Sequence, residues 1–234
     1  MTTELLLRAC VAFMFIGSAL AQQPFWQRTN GPYGGQVYSL HCTSTGRIIA
    51  GTEAGISVSD DNGNTWKEKY ANLAGNSVTV FAEKKNGYLF ASFREGRGIL
   101  RSTNRGNSWT LIDSTFWGVT SIAVSARGQV LVGVEFNGVY TSTDDGATWR
   151  RSNEGLMDKV VESLATNGSD TVYCGTRNSL HRSTDSGANW LRIVLCQRSS
   201  SNIISRGLSV GPAGDVLFAG DSLIRSTDGG DTWR

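Results

Sequence analysis

The chain has 234 residues, a formal net charge of +2, 39% hydrophobic and 18% charged residues. That apolar fraction excludes a disordered chain, and 22 basic against 20 acidic side chains give no electrostatic footprint for nucleic acid. With 28 glycines, 3 prolines and 7 tryptophans, the composition favours many short strands joined by tight turns.

In chain order, residues 1–21 form a separate object. Arg8 precedes an apolar run from Ala9 to Ile16, small residues follow, and Ala19-Leu20-Ala21 offers an A-x-A cleavage site. The run is too short to cross a bilayer. We therefore expect a signal peptide over 1–21 and export of 22–234, periplasmic or secreted, with no membrane insertion after cleavage. Cys42, Cys174 and Cys196 then remain. A local Cys174–Cys196 bridge is one reading; three small buried side chains is the preferred one. His41 and His181 stand in unrelated places, so no zinc-type spacing exists and neither metal nor cofactor is expected.

Beyond the signal, one eight-residue box recurs. Its copies are Ser59–Trp66, Ser102–Trp109, Ser142–Trp149, Ser183–Trp190 and Ser226–Trp233, and successive tryptophans are 43, 40, 41 and 43 residues apart. A period near 42 with strand-like content lies in the range of propeller blades. Each unit reads as four strands. In the third these are Val119–Ala126, Gln129–Glu135, Val139–Asp144 and Thr148–Asn153, with glycine-containing turns between the first three. The same parse fits Gln36–Trp66, Val78–Trp109, Val160–Trp190 and Ile204–Trp233.

The box makes sense as a turn between the third and fourth strands. Its third residue is Asp61, Asn104, Asp144, Asp185 or Asp228, a side chain that accepts nearby backbone N–H bonds. Its fifth, Gly63, Gly106, Gly146, Gly187 or Gly230, supplies a positive φ. Its eighth, Trp66, Trp109, Trp149, Trp190 or Trp233, is an apolar plate suited to packing between units.

The S-x-D-x-G-x-T-W pattern resembles the Asp-box, or BNR, repeat of sialidase-like β-propellers, over roughly residues 24–234. That family includes sialidases, xyloglucanase-type glycosidases, sortilin-like receptors and photosystem II assembly factor-like proteins. The resemblance implies an all-β propeller of four-stranded blades and says little about function. Five boxes are visible, and the last unit stops two residues into its fourth strand. The preferred expectation is an incomplete ring of six or seven blades. The alternative is a five-bladed ring closed by Phe25–Asn30, which resembles the fourth strand at Thr148–Asn153.

Equivalent box carboxylates spread around a rim cannot converge on one substrate, so the boxes read as structural. A sialidase would show an F/Y-R-I-P motif and a tyrosine–glutamate nucleophile pair, and neither is recognisable. Arg101, Arg182 and Arg225 recur just before the box, which reads as a structural or solvated face. The second-to-third-strand loops, at the end opposite the boxes, carry Glu53, Arg94 with Glu95, Glu135, Arg177 and Asp221, with Phe93 and Phe136 beside two of them. Loops on a rigid scaffold commonly carry binding. The reading is a non-catalytic exported protein that binds protein or carbohydrate through this loop face. The rivals are a sialidase-like or xyloglucanase-like glycoside hydrolase, with Glu53 and Glu135 as carboxylates to test, and a photosystem assembly factor-like protein.

Overall fold

A computed structural model describes residues 30–32, 35–71, 77–93, 96–167, 169–195, 207–211, 213–220 and 222–234. The signal segment, most of Phe25–Asn30, Arg94, Glu95, Cys196 and Asp221 lie outside the described residues.

Each repeat unit folds as one antiparallel meander. Blade 1 holds β1 (Val37–Cys42), β2 (Ile48–Thr52), β3 (Gly55–Ser59) and β4 (Lys67–Ala71). Blade 2 holds β5 (Val78–Glu83), β6 (Leu89–Phe93), β7 (Arg97–Ser102) and β8 (Thr110–Trp117). Blade 3 holds β9 (Val119–Val124), β10 (Val130–Val134), β11 (Gly138–Ser142) and β12 (Arg150–Arg151). Blade 4 holds β13 (Val161–Thr166), β14 (Val172–Thr176), β15 (Ser179–Ser183) and β16 (Leu191–Leu195). Blade 5 has three strands, β17 (Leu208–Val210), β18 (Val216–Ala219) and β19 (Leu223–Ser226). The fourth strand expected there is present as a start only: Arg225 and Arg234 exchange backbone hydrogen bonds of 2.8 and 3.0 Å.

The second strands of blades 1–4 are mostly apolar and almost wholly buried between stacked sheets, whereas that of blade 5 alternates and leaves Leu217 exposed. Successive side chains of β6 and β10 point to opposite neighbours, giving one apolar cluster between each consecutive pair of blades. Ile49 and Ile56 of blade 1 meet Val78, Leu89 and Trp109 of blade 2. Phe90 and Ile99 meet Val119, Val130 and Val132. Leu131 and Val139 meet Val161, Val172 and Trp190. Tyr173 and Leu180 meet Val216 and Phe218, with Trp233 packed against them. From blade 2 onward the box tryptophan therefore packs back onto the preceding blade, as its size and apolarity predict.

The box geometry repeats from blade to blade. The Ser142 hydroxyl donates to Asp144 Oδ1 at 2.8 Å and accepts from Gly146 N at 2.8 Å. Asp144 Oδ1 also accepts from Thr148 N at 2.9 Å, and Oδ2 from the Thr148 hydroxyl at 2.6 Å. Asn104 keeps this turn. Its Oδ1 accepts from Ser108 N, and its amide donates to Ser108 Oγ at 2.8 Å. The fourth and fifth residues are both left-handed, with φ of 59° at Asp145 and 85° at Gly146. The sequence pattern anticipates only the glycine.

Candidate binding surface

The antiparallel meander puts the second-to-third-strand loops at the end of each blade opposite its box. Glu53, Glu135 and Arg177 stand exposed in these loops on blades 1, 3 and 4. Glu53 accepts a hydrogen bond from the Tyr38 hydroxyl at 2.9 Å within its own blade. The structure brings Arg177 to blade 3, where its guanidinium lies over the Phe136 ring, 5.7 Å from the centroid. Glu135 precedes that ring in the chain, and its N–H is held by the Gly118 carbonyl at 2.9 Å. Phe93, which the sequence places beside the blade 2 loop, is buried in the core between blades 1 and 2.

Phe136 is unusual in two ways. Its backbone is left-handed, with φ of 64°. Among the described residues every other non-glycine with positive φ is the fourth residue of a box: Asn62, Arg105, Asp145 and Ser186. A bulky side chain there is strained, and such strain gathers at binding and catalytic sites. Its ring is also 62% exposed, beneath a charged partner that holds it in place.

A cleft of about 390 Å³ opens beside this turn, between blades 2 and 3. Phe116, Tyr140 and Trp149 form its aromatic wall, with Phe116 edge-on to Tyr140 at 5.0 Å and to Trp149 at 5.4 Å between ring centroids. Trp117, Asp113, Thr115, Val134, Asn137 and the box residues Ala147 and Thr148 complete the lining. The sequence reading missed Trp117. It ends β8, which at eight residues is longer than the fourth strands of the other blades.

The box carboxylates serve structure. Hydrogen bonds from the Thr65 hydroxyl and N–H, then from Ser59, hold Asp61 down to about 2. The same contacts from Thr148 and Ser142 hold Asp144 at about 2, and those from Thr232 and Ser226 depress Asp228 further. At Asp185 desolvation pushes upward, and the Asn189 side-chain and backbone bonds outweigh it. The recurrent arginines also act between blades. Arg101 Nη1 donates to the Asp145 carbonyl at 2.9 Å and Arg182 Nη1 to the Gly229 carbonyl at 2.7 Å. Cys174 is a free, buried thiol, with its titration pushed up by burial and then by Asp158. Among the described residues no group of three or more His, Cys, Asp or Glu is placed to hold a metal ion, and no helix is long and apolar enough to cross a membrane.

Five meander sheets stacked through their faces define a β-propeller. Residues 32–164, more than half of the chain, match the DUF6242 beta propeller domain, and the chain belongs to that family. A xyloglucanase of Hypocrea jecorina is 27% identical over 194 residues, which cover 76% of this chain and 23% of that enzyme. The chain thus spans about a quarter of that relative's length. Among solved structures, the GH74 enzyme of Niastella koreensis superposes with a TM-score of 0.66 at 20% identity, covering 85% of this chain and 30% of the enzyme. YCF48 bound to D1 peptide superposes with a TM-score of 0.60 at 18% identity, covering 85% of this chain and 66% of that one. At these identities the superpositions establish the fold alone.

Proposed function

We propose that the chain is an exported, non-catalytic binding propeller whose loop face recognises carbohydrate. The observation that carries this reading is Phe136: an exposed aromatic ring on a strained backbone, fixed under Arg177 and next to Glu135. Aromatic rings take the apolar face of a sugar, while guanidinium and carboxylate groups satisfy its hydroxyls. The nearby cleft, with aromatic wall and polar lip, has the composition of a small-molecule site. Similarity to a xyloglucanase supports a glucan as the first ligand to test. Calorimetric titration with xyloglucan and β-glucan oligosaccharides should show binding that Phe136→Ala or Arg177→Ala weakens by about tenfold or more. Absence of binding to any glycan, with binding of peptides instead, overturns the carbohydrate assignment.

The same xyloglucanase similarity favours a second reading, a glycoside hydrolase. It requires two carboxylates across a cleft. Release of reducing sugar from xyloglucan, lost in Glu135→Gln or Glu53→Gln, would establish it. Unchanged activity in both variants would remove them from the chemistry.

A further inference from the structure

Phe136 and Arg177 stand on different blades, and the chain that links those blades holds them both. Strand β12 stops after Arg151 and β13 begins at Val161, so residues 152–160 join blade 3 to blade 4. Blade 2 joins blade 3 through Gly118 alone. The longer connector is itself fixed against blade 4. Its Ser152 carbonyl accepts from Trp190 Nε1 at 2.7 Å and its Glu154 carbonyl from Trp190 N at 2.9 Å. Leu156 is buried in the apolar cluster between the two blades.

From this anchorage the connector reaches in two directions. Toward blade 3, both ends of the Asn153 carboxamide hold the Phe136 turn. Nδ2 donates to the Asn137 carbonyl at 3.0 Å, and Oδ1 accepts from Val139 N at 2.7 Å. The Lys159 carbonyl accepts from Gly138 N at 3.0 Å. Gly138 is left-handed, and a Cβ there would strike the Asn153 carboxamide, so turn and side chain fit closely. A phenylalanine with φ of 64° persists only where its surroundings over-determine it. These bonds, with that of Glu135 N to the Gly118 carbonyl, supply that constraint.

Toward blade 4 the holding group is a carboxylate. Asp158 Oδ2 accepts from Asn178 N at 3.1 Å and from Asn178 Nδ2 at 2.9 Å. Its Oδ1 accepts from Val160 N at 3.0 Å, which fixes the carboxylate on its own segment. The Val160 carbonyl accepts from Arg177 N at 3.1 Å. Residues 177 and 178 are thus both docked on the connector by their backbone N–H groups. From that position the Arg177 guanidinium reaches the Phe136 ring.

We infer that Asn153 and Asp158 are positioning residues: through the connector they set the Phe136 ring and the Arg177 guanidinium in their binding arrangement before any ligand arrives. The inference rests on the reading of that pair as the binding site. It adds that affinity is governed by two side chains outside the pair. A ring and a guanidinium already ordered need no ordering on binding, and the affinity that disorder would cost is kept.

Nuclear magnetic resonance of the free protein reads the arrangement directly. The ring current of Phe136 should shift the Arg177 side-chain protons upfield, and Phe136→Leu gives the unstacked reference. Asp158→Ala and Asn153→Ala should each move these resonances most of the way to that reference. Asp158→Asn, which keeps one acceptor oxygen, should fall between Asp158→Ala and the wild type. Asn178→Ala deletes one donor to Asp158 without touching the connector, and it should loosen the stack in part even if Asp158→Ala fails to fold. Calorimetric titration with the xyloglucan oligosaccharides reads the consequence: Asp158→Ala should weaken binding about threefold to tenfold. Unshifted Arg177 resonances in Asn153→Ala and in both the Asp158 and Asn178 variants overturn the inference. A loosened stack with wild-type affinity overturns it equally. A wild-type chain that binds no glycan removes the carbohydrate reading, and the Arg177 resonances still decide whether the connector places the pair.

Discussion

At the scale of single residues, the box serine is the pivot of each turn. Ser142 is 2% exposed, and its one hydroxyl serves both Asp144 and the Gly146 N–H. Ser142→Ala leaves a buried donor and a carboxylate oxygen without that partner. The expected cost is about 1–3 kcal/mol, read as a lower urea midpoint with unchanged slope. Gly187→Ala should be as damaging for a different reason. The residue has φ of 92°, and a Cβ would meet Leu131 Cδ2 at 2.5 Å inside the core between blades 3 and 4. Strain and overpacking together predict a loss of about 2–4 kcal/mol. The sequence shows the serine, the acid and the glycine because a turn of this kind needs those chemistries at those spacings. It hides the left-handed fourth residue, since Asn62, Arg105, Asp145 and Ser186 share no side-chain property. For the same reason the strain at Phe136 is visible only in the backbone.

At the scale of elements, the interface between two blades joins an apolar cluster to a charged clasp. Blades 2 and 3 meet through Phe90, Ile99, Val119, Val130 and Val132, and Lys84 pairs with Asp145 while Arg101 caps the Asp145 carbonyl. The two basic groups converge on one box residue, so their effects should not add. Lys84→Met and Arg101→Met should each cost about 1–2 kcal/mol, with the double variant differing from the sum by about 0.5 kcal/mol or more. Additivity would show that the two clasps work independently. The clasp was half legible in the sequence. The recurrence of arginine before the box is plain at Arg101, Arg182 and Arg225, and it marks a structural position. Its destination is another blade's backbone carbonyl, which no residue pattern announces. Arg47 and Arg127 reach the neighbouring box, or Asp170 that braces it, from the turn between the first and second strands rather than from the strand before the box, so a search for arginine at the box spacing passes over them.

At the scale of the whole molecule, the period of the boxes made the propeller readable, because a repeat that buries both its faces only against its own kind must stack. The loop face was less readable. Charge at equivalent positions suggested six partners, and the structure joins Arg177 to the Phe136 turn beside Glu135 while Glu53 stays with Tyr38. The global property that combines these local ones is acid stability, which should fall in two stages. His181 is fully buried, and desolvation first, then Arg192, lowers its pKa to about 4 against the opposing pull of Asp158 and the Cys174 backbone. The unfolded chain therefore takes up this proton first. Stability is complete above pH 6.5 and declines as pH falls towards 4, by an amount on the order of 3 kcal/mol. His41, lowered by burial against the pull of Glu83, adds to the same stage. The box aspartates act later. Their folded pKa values lie below the ordinary carboxylate value, so their contribution is intact above about pH 4 and is lost as pH falls towards 2. Urea midpoints at pH 7.5, 4 and 2 should resolve the stages. His181→Leu should flatten most of the first and leave the second in place, while Asn104→Asp should steepen the second alone. A first stage undiminished in His181→Leu would assign it to groups other than this imidazole.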